Sequence, residues 1–347
     1  MHKSQHPRSI ALIIPTCNMA KHLHPLWKSI EGSGLRNELS QIIFVNDGSV
    51  DQTHELLDDL SSQNTDVTVI HLDVNQGRFD ARRIGAECAQ TERLLFLDSR
   101  ITLPDNFGTA LRKSACSYTN VVGCVDIETK KNTYCLYWQR THEFIFWRYY
   151  RDTKKPLTLT VSNFDAYLKG TGVFVCSRVL FLQSCADFQD SPPLSDDTYL
   201  LKIMVARQPI VIDPSLRIDW VPRDTLKTFL GRLWERGPQF VEYHVLKERG
   251  LFFWISTLGV LVLVTCTTMT FLNPTLGLSL FSIGLMAVIL SAFLVGHNLR
   301  ESLQILPLHI TVFFTSAASV LWGLLYHAYT NALTFFKTTN KEKGGFR

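Results

Sequence analysis

The 347-residue sequence has eight cysteines but no C-x-x-C pair, and no histidines at zinc-finger spacing. Neither a disulfide framework nor a zinc site is indicated, and the cysteines read as buried thiols of a reducing compartment. No dense Lys/Arg block is present, and a formal net charge of +4 is too small to argue for a polyanionic partner, which excludes nucleic acid as the expected ligand. The N-terminal residues 1–9 are polar and lack the apolar core of a signal peptide, so the first domain is expected on the cytoplasmic side. No N-x-[ST] acceptor occurs, because Asn273-Pro274-Thr275 carries the forbidding proline. The dinucleotide fingerprint G-x-G-x-x-G is also missing after the first predicted strand, where Pro15-Thr16-Cys17-Asn18 stands instead.

What is present falls into two compositions. Residues 1–249 mix charged and apolar residues as a soluble α/β domain does, whereas 250–336 are almost uncharged, with a short basic tail over 337–347. Apolar runs at 9–15, 41–45, 67–72 and 94–98 predict buried strands, and the amphipathic stretches between them predict helices. This alternation implies right-handed βαβ units and a mostly parallel sheet. Asp98 ends the fourth run, where an open α/β sheet collects its ligands. Asp51 is placed to cap the helix carrying Leu56, Leu57 and Leu60. Beyond Pro104 the pattern gives a helix near 105–116 and strands near 120–125 and 173–176, the last preceded by Lys169-Gly170-Thr171-Gly172. Ser195 or Asp196 can cap a helix running to about Val205.

The stretch 128–155 is both basic and aromatic, with Trp138, Trp147, Tyr149 and Tyr150 among Arg140, Arg148, Arg151, Lys154 and Lys155. It suits either a membrane interface or a helix packing its aromatics inward. Residues 224–249 predict an amphipathic helix interrupted at Gly237-Pro238, fit to lie along a membrane surface. Leu251–Leu272, Thr275–Val295 and Ile305–Tyr326 are each long enough to cross a bilayer. Lys247 and Arg249 argue for a cytoplasmic catalytic side. Three crossings would then put Lys337, Lys341, Lys343 and Arg347 outside, against the positive-inside tendency.

Taken together, Ile14-Pro15-Thr16-Cys17-Asn18, Val45-Asn46-Asp47-Gly48-Ser49-Val50-Asp51, Asn75-Gln76-Gly77 with Ala81-Arg82, Phe96-Leu97-Asp98-Ser99 and Ser195-Asp196-Asp197 resemble family 2 glycosyltransferases of the GT-A fold, over roughly residues 9–240. The resemblance implies a Rossmann-like α/β domain that moves a sugar, with inversion, from a nucleotide-sugar donor to a lipid-linked or growing glycan acceptor. The expected setting is the cytoplasmic face of a membrane, the bacterial inner membrane, with membrane lipid as a further partner.

Site roles follow from the same resemblance. Asp47 would bind the nucleobase or ribose, with Thr16 and Asn18 in the same pocket, and Arg82 would lie near the diphosphate. Asp98 matches the first acid of the DxD motif that holds a divalent cation, Mg2+ or Mn2+. Asp197 matches the general base, with Asp196 beside it. Gly170, Thr171 and Gly172, together with Arg232, Trp234 and Arg236, are expected on the acceptor or diphosphate side. Arg100 stands where the motif's second acid belongs, and two readings follow. Either its guanidinium meets the diphosphate and replaces part of the metal's charge, or the domain is a catalytically silent nucleotide-binding membrane subunit that supports a partner enzyme.

Overall fold

The structure is a computed structural model that describes residues 10–188, 196–221, 223, 225–247 and 250–344, apart from the side chains of Asp196, Leu251 and 333–344. The expectations placed on Ser195, on the Asp196 carboxylate, on Arg249 and on the tail side chains lie outside the described residues. The chain divides into two compact units, residues 1–128 with 145–222, and residues 129–144 with 223–347.

The first unit begins with the predicted alternation: β1 (Ile10–Thr16), α1 (Ala20–Gly32), β2 (Gln41–Asp47), α2 (Thr53–Gln63), β3 (Val67–Leu72), α3 (Arg78–Cys88) and β4 (Arg93–Leu97). Every residue of β1 is buried, as befits a strand covered on both faces. Ala11 and Ile13 pack on one side with Phe96, Phe174 and Phe181, while Leu12 and Ile14 pack on the other with Leu26, Ile30 and Phe107. This period of two sorts one apolar run into two core layers.

The chain continues through β5 (Ile101–Thr102), α4 (Phe107–Ser117), β6 (Val121–Asp126), α5 (Thr133–Ile145), α6 (Trp147–Asp152), β7 (Leu157–Leu159), β8 (Val173–Ser177), α7 (Arg178–Cys185), α8 (Asp196–Arg207) and β9 (Ile210–Trp220). The nine-stranded sheet has the order β3-β2-β1-β4-β8-β6-β9-β5, with β7 also on β9. Strands β1 to β4 pair in parallel, and β8 enters antiparallel to β4 and β6, so the sheet is mixed beyond its parallel half. Strand β9 is absent from the sequence reading because Asp213-Pro214-Ser215 looks like a break. It is a bulge. The register against β6 shifts between Gly123 and Cys124, and the Asp213 carboxylate accepts from Ser215 N–H at 2.9 Å. Gly123 allows it, since a Cβ there would stand 2.4 Å from the Leu216 carbonyl oxygen.

The cysteines are free, and Cys124, Cys135, Cys176 and Cys185 are buried as expected. Cys17 and Cys266, only half-buried, and Cys88 and Cys116, exposed in the last turns of α3 and α4, correct that expectation.

The second unit holds most of α5 together with α9 (Leu226–Phe240), α10 (Leu251–Leu272), α11 (Pro274–Val295) and α12 (Leu299–Gly344). Three of these helices are long and apolar enough to cross a membrane: Phe252–Leu272, Pro274–Val295 and Leu299–Ala332. At 46 residues, α12 extends about 69 Å, more than twice a bilayer's hydrocarbon core. Its first turns are tied to α5 by polar contacts. Arg140 donates to both oxygens of Glu301 at 2.8 and 3.0 Å and to Glu143 at 2.8 Å, and these acids hold its guanidinium above the usual arginine range.

The expected break at Gly237-Pro238 does not occur. Helix α9 runs through to Phe240, and the irregularity falls one turn later, as a π-helical segment over Val241–Lys247. Here the Pro238 carbonyl accepts from His327 Nε2 at 2.9 Å. The apolar face assigned to a membrane surface is largely covered within this unit, where Phe229, Leu230 and Leu233 pack with Leu136, Tyr137, Ile305 and Val312. Gly237 makes this close approach possible: an added Cβ would sit 2.1 Å from the Ser319 carbonyl oxygen, and one at Gly323 would meet the Gly237 carbonyl at 2.7 Å.

Candidate functional site

The C-terminal ends of β1, β2 and β4 and the N-terminal end of β8 open on one edge of the sheet, because β1 to β4 are parallel and β8 is antiparallel to β4. Along this edge, βα loops are laced together by short polar side chains. Asn18 adopts φ +53°, a left-handed conformation that asparagine tolerates. Its N–H donates to Ser49 Oγ, and its Oδ1 accepts from Val50 N–H, both at 2.9 Å. Gly48, at φ +61°, lets the β2 loop pass the next one, since a Cβ would lie 2.4 Å from Asn75 N. The Asp47 carboxylate accepts from Gln76 N–H at 2.6 Å and from Gly77 N–H at 2.9 Å, and Thr16 Oγ1 donates to the Val45 carbonyl at 3.1 Å. These three residues, expected to line a donor pocket, thus build the rim of that edge.

Asp51 caps both neighbouring helices, accepting from Thr53 N–H and, across to α1, from Ala20 N–H. Burial would raise its carboxyl, but these bonds and the one from the Thr53 hydroxyl outweigh it and hold the group below the ordinary range.

Beside this rim lies a cluster of acids around one arginine. Arg82, on α3, is 2 % exposed; its Nη1 donates to Asp197 Oδ1 at 2.5 Å, and its Nη2 lies 3.5 Å from Asp98 Oδ1. Its Nε is buried and has no hydrogen-bond partner among the described residues. Arg78, one turn earlier on α3, reaches Asp197 Oδ2 at 3.8 Å. Burial alone would raise the Asp197 carboxyl, but Arg82 and Arg78 outweigh it and keep the group below the usual carboxylate range. Asp98 N–H donates to the Gly172 carbonyl at 3.0 Å, and a Cβ at Gly172 would stand 3.4 Å from Asp98 Oδ2. The glycine therefore sets no side chain against that oxygen. Thr171 beside it is buried, whereas Gly170 has open space around its Cα. Lys169, nearly buried, lies over the Phe164 ring with Nζ 3.9 Å from its centroid, and burial pulls its ammonium down to about 8.

Arg100 has a structural tie. Its Nε donates to the Val221 carbonyl at 3.3 Å, and its own carbonyl accepts from Val221 N–H at 2.9 Å. In the second unit, Arg236 stacks over Trp138 at 5.3 Å, Arg232 pairs with Glu235 at 3.0 Å, and Trp234 stacks on Trp322. Burial and then Arg236 push His142 down to about 4, so the positive charge near Trp138 belongs to the arginine. The first unit thus brings Arg82, Asp98, Asp197 and Gly172 together. Arg78 was missed, although its spacing of four from Arg82 puts both on one helical face.

A half-parallel, half-mixed sheet with an acid at the tip of β4, and a second acid delivered by a later helix, is a GT-A-like arrangement. Residues 11–174 match the sequence profile of Glycosyl transferase family 2, and the chain carries a family 2 glycosyltransferase domain. Over 116 residues it is 26 % identical to EpsH of Bacillus subtilis (strain 168), a glycosyltransferase by name, covering 33 % of each chain. Over 90 residues it is 31 % identical to an uncharacterized glycosyltransferase of Haemophilus influenzae, covering 26 % of this chain and 35 % of that one. The chain spans about a third of the length of these curated relatives. Among solved structures, the mannosyltransferase PcManGT of Pyrobaculum calidifontis, in complex with GDP-Man and Mn2+, shares the fold. Its TM-score is 0.57 at 14 % identity, over 92 % of this chain and 90 % of that one.

Proposed function

We propose that this chain transfers a sugar, with inversion, from a nucleotide-sugar donor to a lipid-linked or growing glycan acceptor at the cytoplasmic face of a bacterial inner membrane. The observation that carries the reading is the Asp197–Arg82–Asp98 cluster at the ligand edge of the sheet. Glycosyl transfer builds negative charge on a departing diphosphate and requires a base for the incoming hydroxyl. One guanidinium between the two acids serves both demands. While Arg82 holds Asp197, that carboxylate is ionised but a weak base. A donor diphosphate drawing Arg82 toward its own oxygens loosens the pair, and Asp197 becomes a better proton acceptor only when a donor is in place. The Arg82 Nε, without a partner among the described residues, supplies a further N–H for such an anion.

Asp98 fits the role of a single carboxylate ligand to Mg2+ or Mn2+, ions commonly held by one or two carboxylates and the substrate's phosphates, because its side chain is partly exposed and Gly172 sets no side chain against its Oδ2. Such an ion would supply further charge for the leaving diphosphate. The basic and aromatic side chains Arg232, Trp234 and Arg236 of the second unit suit an anionic lipid-linked acceptor, and the apolar helices supply its membrane setting.

Arg100 at the place of the motif's second acid is the observation that favours the alternative, a silent nucleotide-binding subunit. Incubating the full chain with a panel of nucleotide sugars and polyprenyl-linked acceptors separates the two: nucleotide release supports the transferase, and binding of a nucleotide without release by any donor supports the silent subunit.

A further inference from the structure

We infer that His54, Asp58 and His71 form a surface site for a borderline transition-metal dication of the zinc class, separate from the Asp98 edge. His54 and Asp58 stand four residues apart on α2, which puts them on one helical face, and His71 reaches them from the edge strand β3. His54 Nε2 lies 3.4 Å from Asp58 Oδ2, and His71 Nε2 lies 3.0 Å from Asp58 Oδ1. The two imidazoles stack at 3.7 Å with 19° between their planes, and both Nε2 atoms lie beside the same carboxylate. All three ligand atoms fall within 4.8 Å of one another. A tetrahedral ion with bonds of about 2.0–2.1 Å needs ligand atoms roughly 3.3 Å apart and in the plane of each ring, so the imidazoles must swing out of their stack until their planes meet at the ion, a rotation open to the half-exposed His54 side chain.

The donor chemistry selects the ion. Two imidazoles and one carboxylate suit zinc, cobalt or nickel, whereas magnesium and calcium prefer oxygen alone. The side chains of His54 and Asp58 are half exposed, so an ion has direct access and a fourth position stays open to water. Behind the site, Asn46 Nδ2 lies 2.9 Å from His71 Nδ1, the place where an outer partner fixes a metal-bound imidazole. Ligation through Nε2 leaves the ring proton on Nδ1, and Asn46 accepts it once its amide turns over. The contact given up is the long one of 3.3 Å from Ser49 N–H to Asn46 Oδ1. The ion would clamp α2 to the sheet edge next to the loop that carries Asp47.

The test is equilibrium zinc binding to the untagged full chain in detergent, by zinc titration alone, with thermal melting alongside. The wild type is expected to take up one zinc at this site and to melt higher with it. His54→Ala and His71→Ala should each weaken that uptake by about 100-fold or more, since losing even an outer partner of a ligand costs 10–100-fold. Asp98→Ala should leave it in place. Both histidine variants should melt as the wild type does without zinc, which shows that they fold. Undiminished zinc uptake in the His54→Ala/His71→Ala double variant, or no uptake by the wild type, would overturn the assignment.

Discussion

Replacing Arg82 with Gln removes the charge shared by Asp197 and Asp98 while keeping a polar side chain in the buried space. At a charge separation of about 4 Å and an effective dielectric constant near 20, the Arg82–Asp197 attraction is about 4 kcal/mol. Asp197 is a quarter exposed and Arg78 remains 3.8 Å away, so about 2 kcal/mol is the expected net loss at pH 7. For a chain of this size that lowers the melting temperature by about 3 °C. The sign of the pH dependence follows from the directions. In the wild type the Asp197 carboxyl is held below its ordinary value, so its contribution is present above that ordinary value and lost as pH falls through the lowered one. In the variant, burial is left to raise it, so Asp197 takes up a proton earlier on acidification and the variant regains relative stability. Melting of both proteins in detergent should show a gap that is widest near pH 7 and narrows toward pH 4. A gap independent of pH over that range would refute the coupling of Asp197 to Arg82.

Other substitutions probe separate parts of the account. Arg100→Ala should release the end of β9, lowering the melting temperature, and leave the divalent-ion response of turnover unchanged, because its Nε is committed to the Val221 carbonyl; a changed metal response would show that the guanidinium serves the diphosphate. Gly237→Ala should cost about 1–3 kcal/mol, read as a lower melting temperature, because its methyl group would meet the Ser319 carbonyl; unchanged melting would mean the helices do not cross so closely. A chain ending at Arg249 should aggregate, since it leaves Phe229, Leu233 and Tyr137 without Ile305 and Val312; a monodisperse, nucleotide-binding product would contradict this.

How far the molecule could be read from its sequence depended on whether local pattern decided the outcome. Strands β1, β2 and β4 were legible because central strands are continuous apolar runs, the edge strand β3 because its short run Val67–Leu72 is rich in β-branched residues, and the loops behind them because Asn46-Asp47-Gly48-Ser49 and Asn75-Gln76-Gly77 carry turn chemistry in their residue types. Strand β9 was hidden by Pro214, whose bulge only the register against Gly123 explains. Helix α9 runs through Pro238 because α12 packs against it, a tertiary effect that local propensity does not carry. Asp98 was legible as an acid at a strand tip and Asp197 only through the family resemblance, whereas the bond of Arg82 to Asp197 spans 115 positions and exists only once the sheet is assembled. For the same reason His54 and His71 gave no spacing signal, since they meet across a helix and an edge strand.

The central claim is that Asp197 takes the acceptor's proton while the donor is held by other groups. The most direct measurement is turnover and nucleotide affinity of Asp197→Asn in the full chain, with the donor and acceptor found for the wild type. The account predicts a loss of turnover of about 10²–10⁴-fold with nucleotide affinity nearly intact. Near-normal turnover in that variant would contradict it.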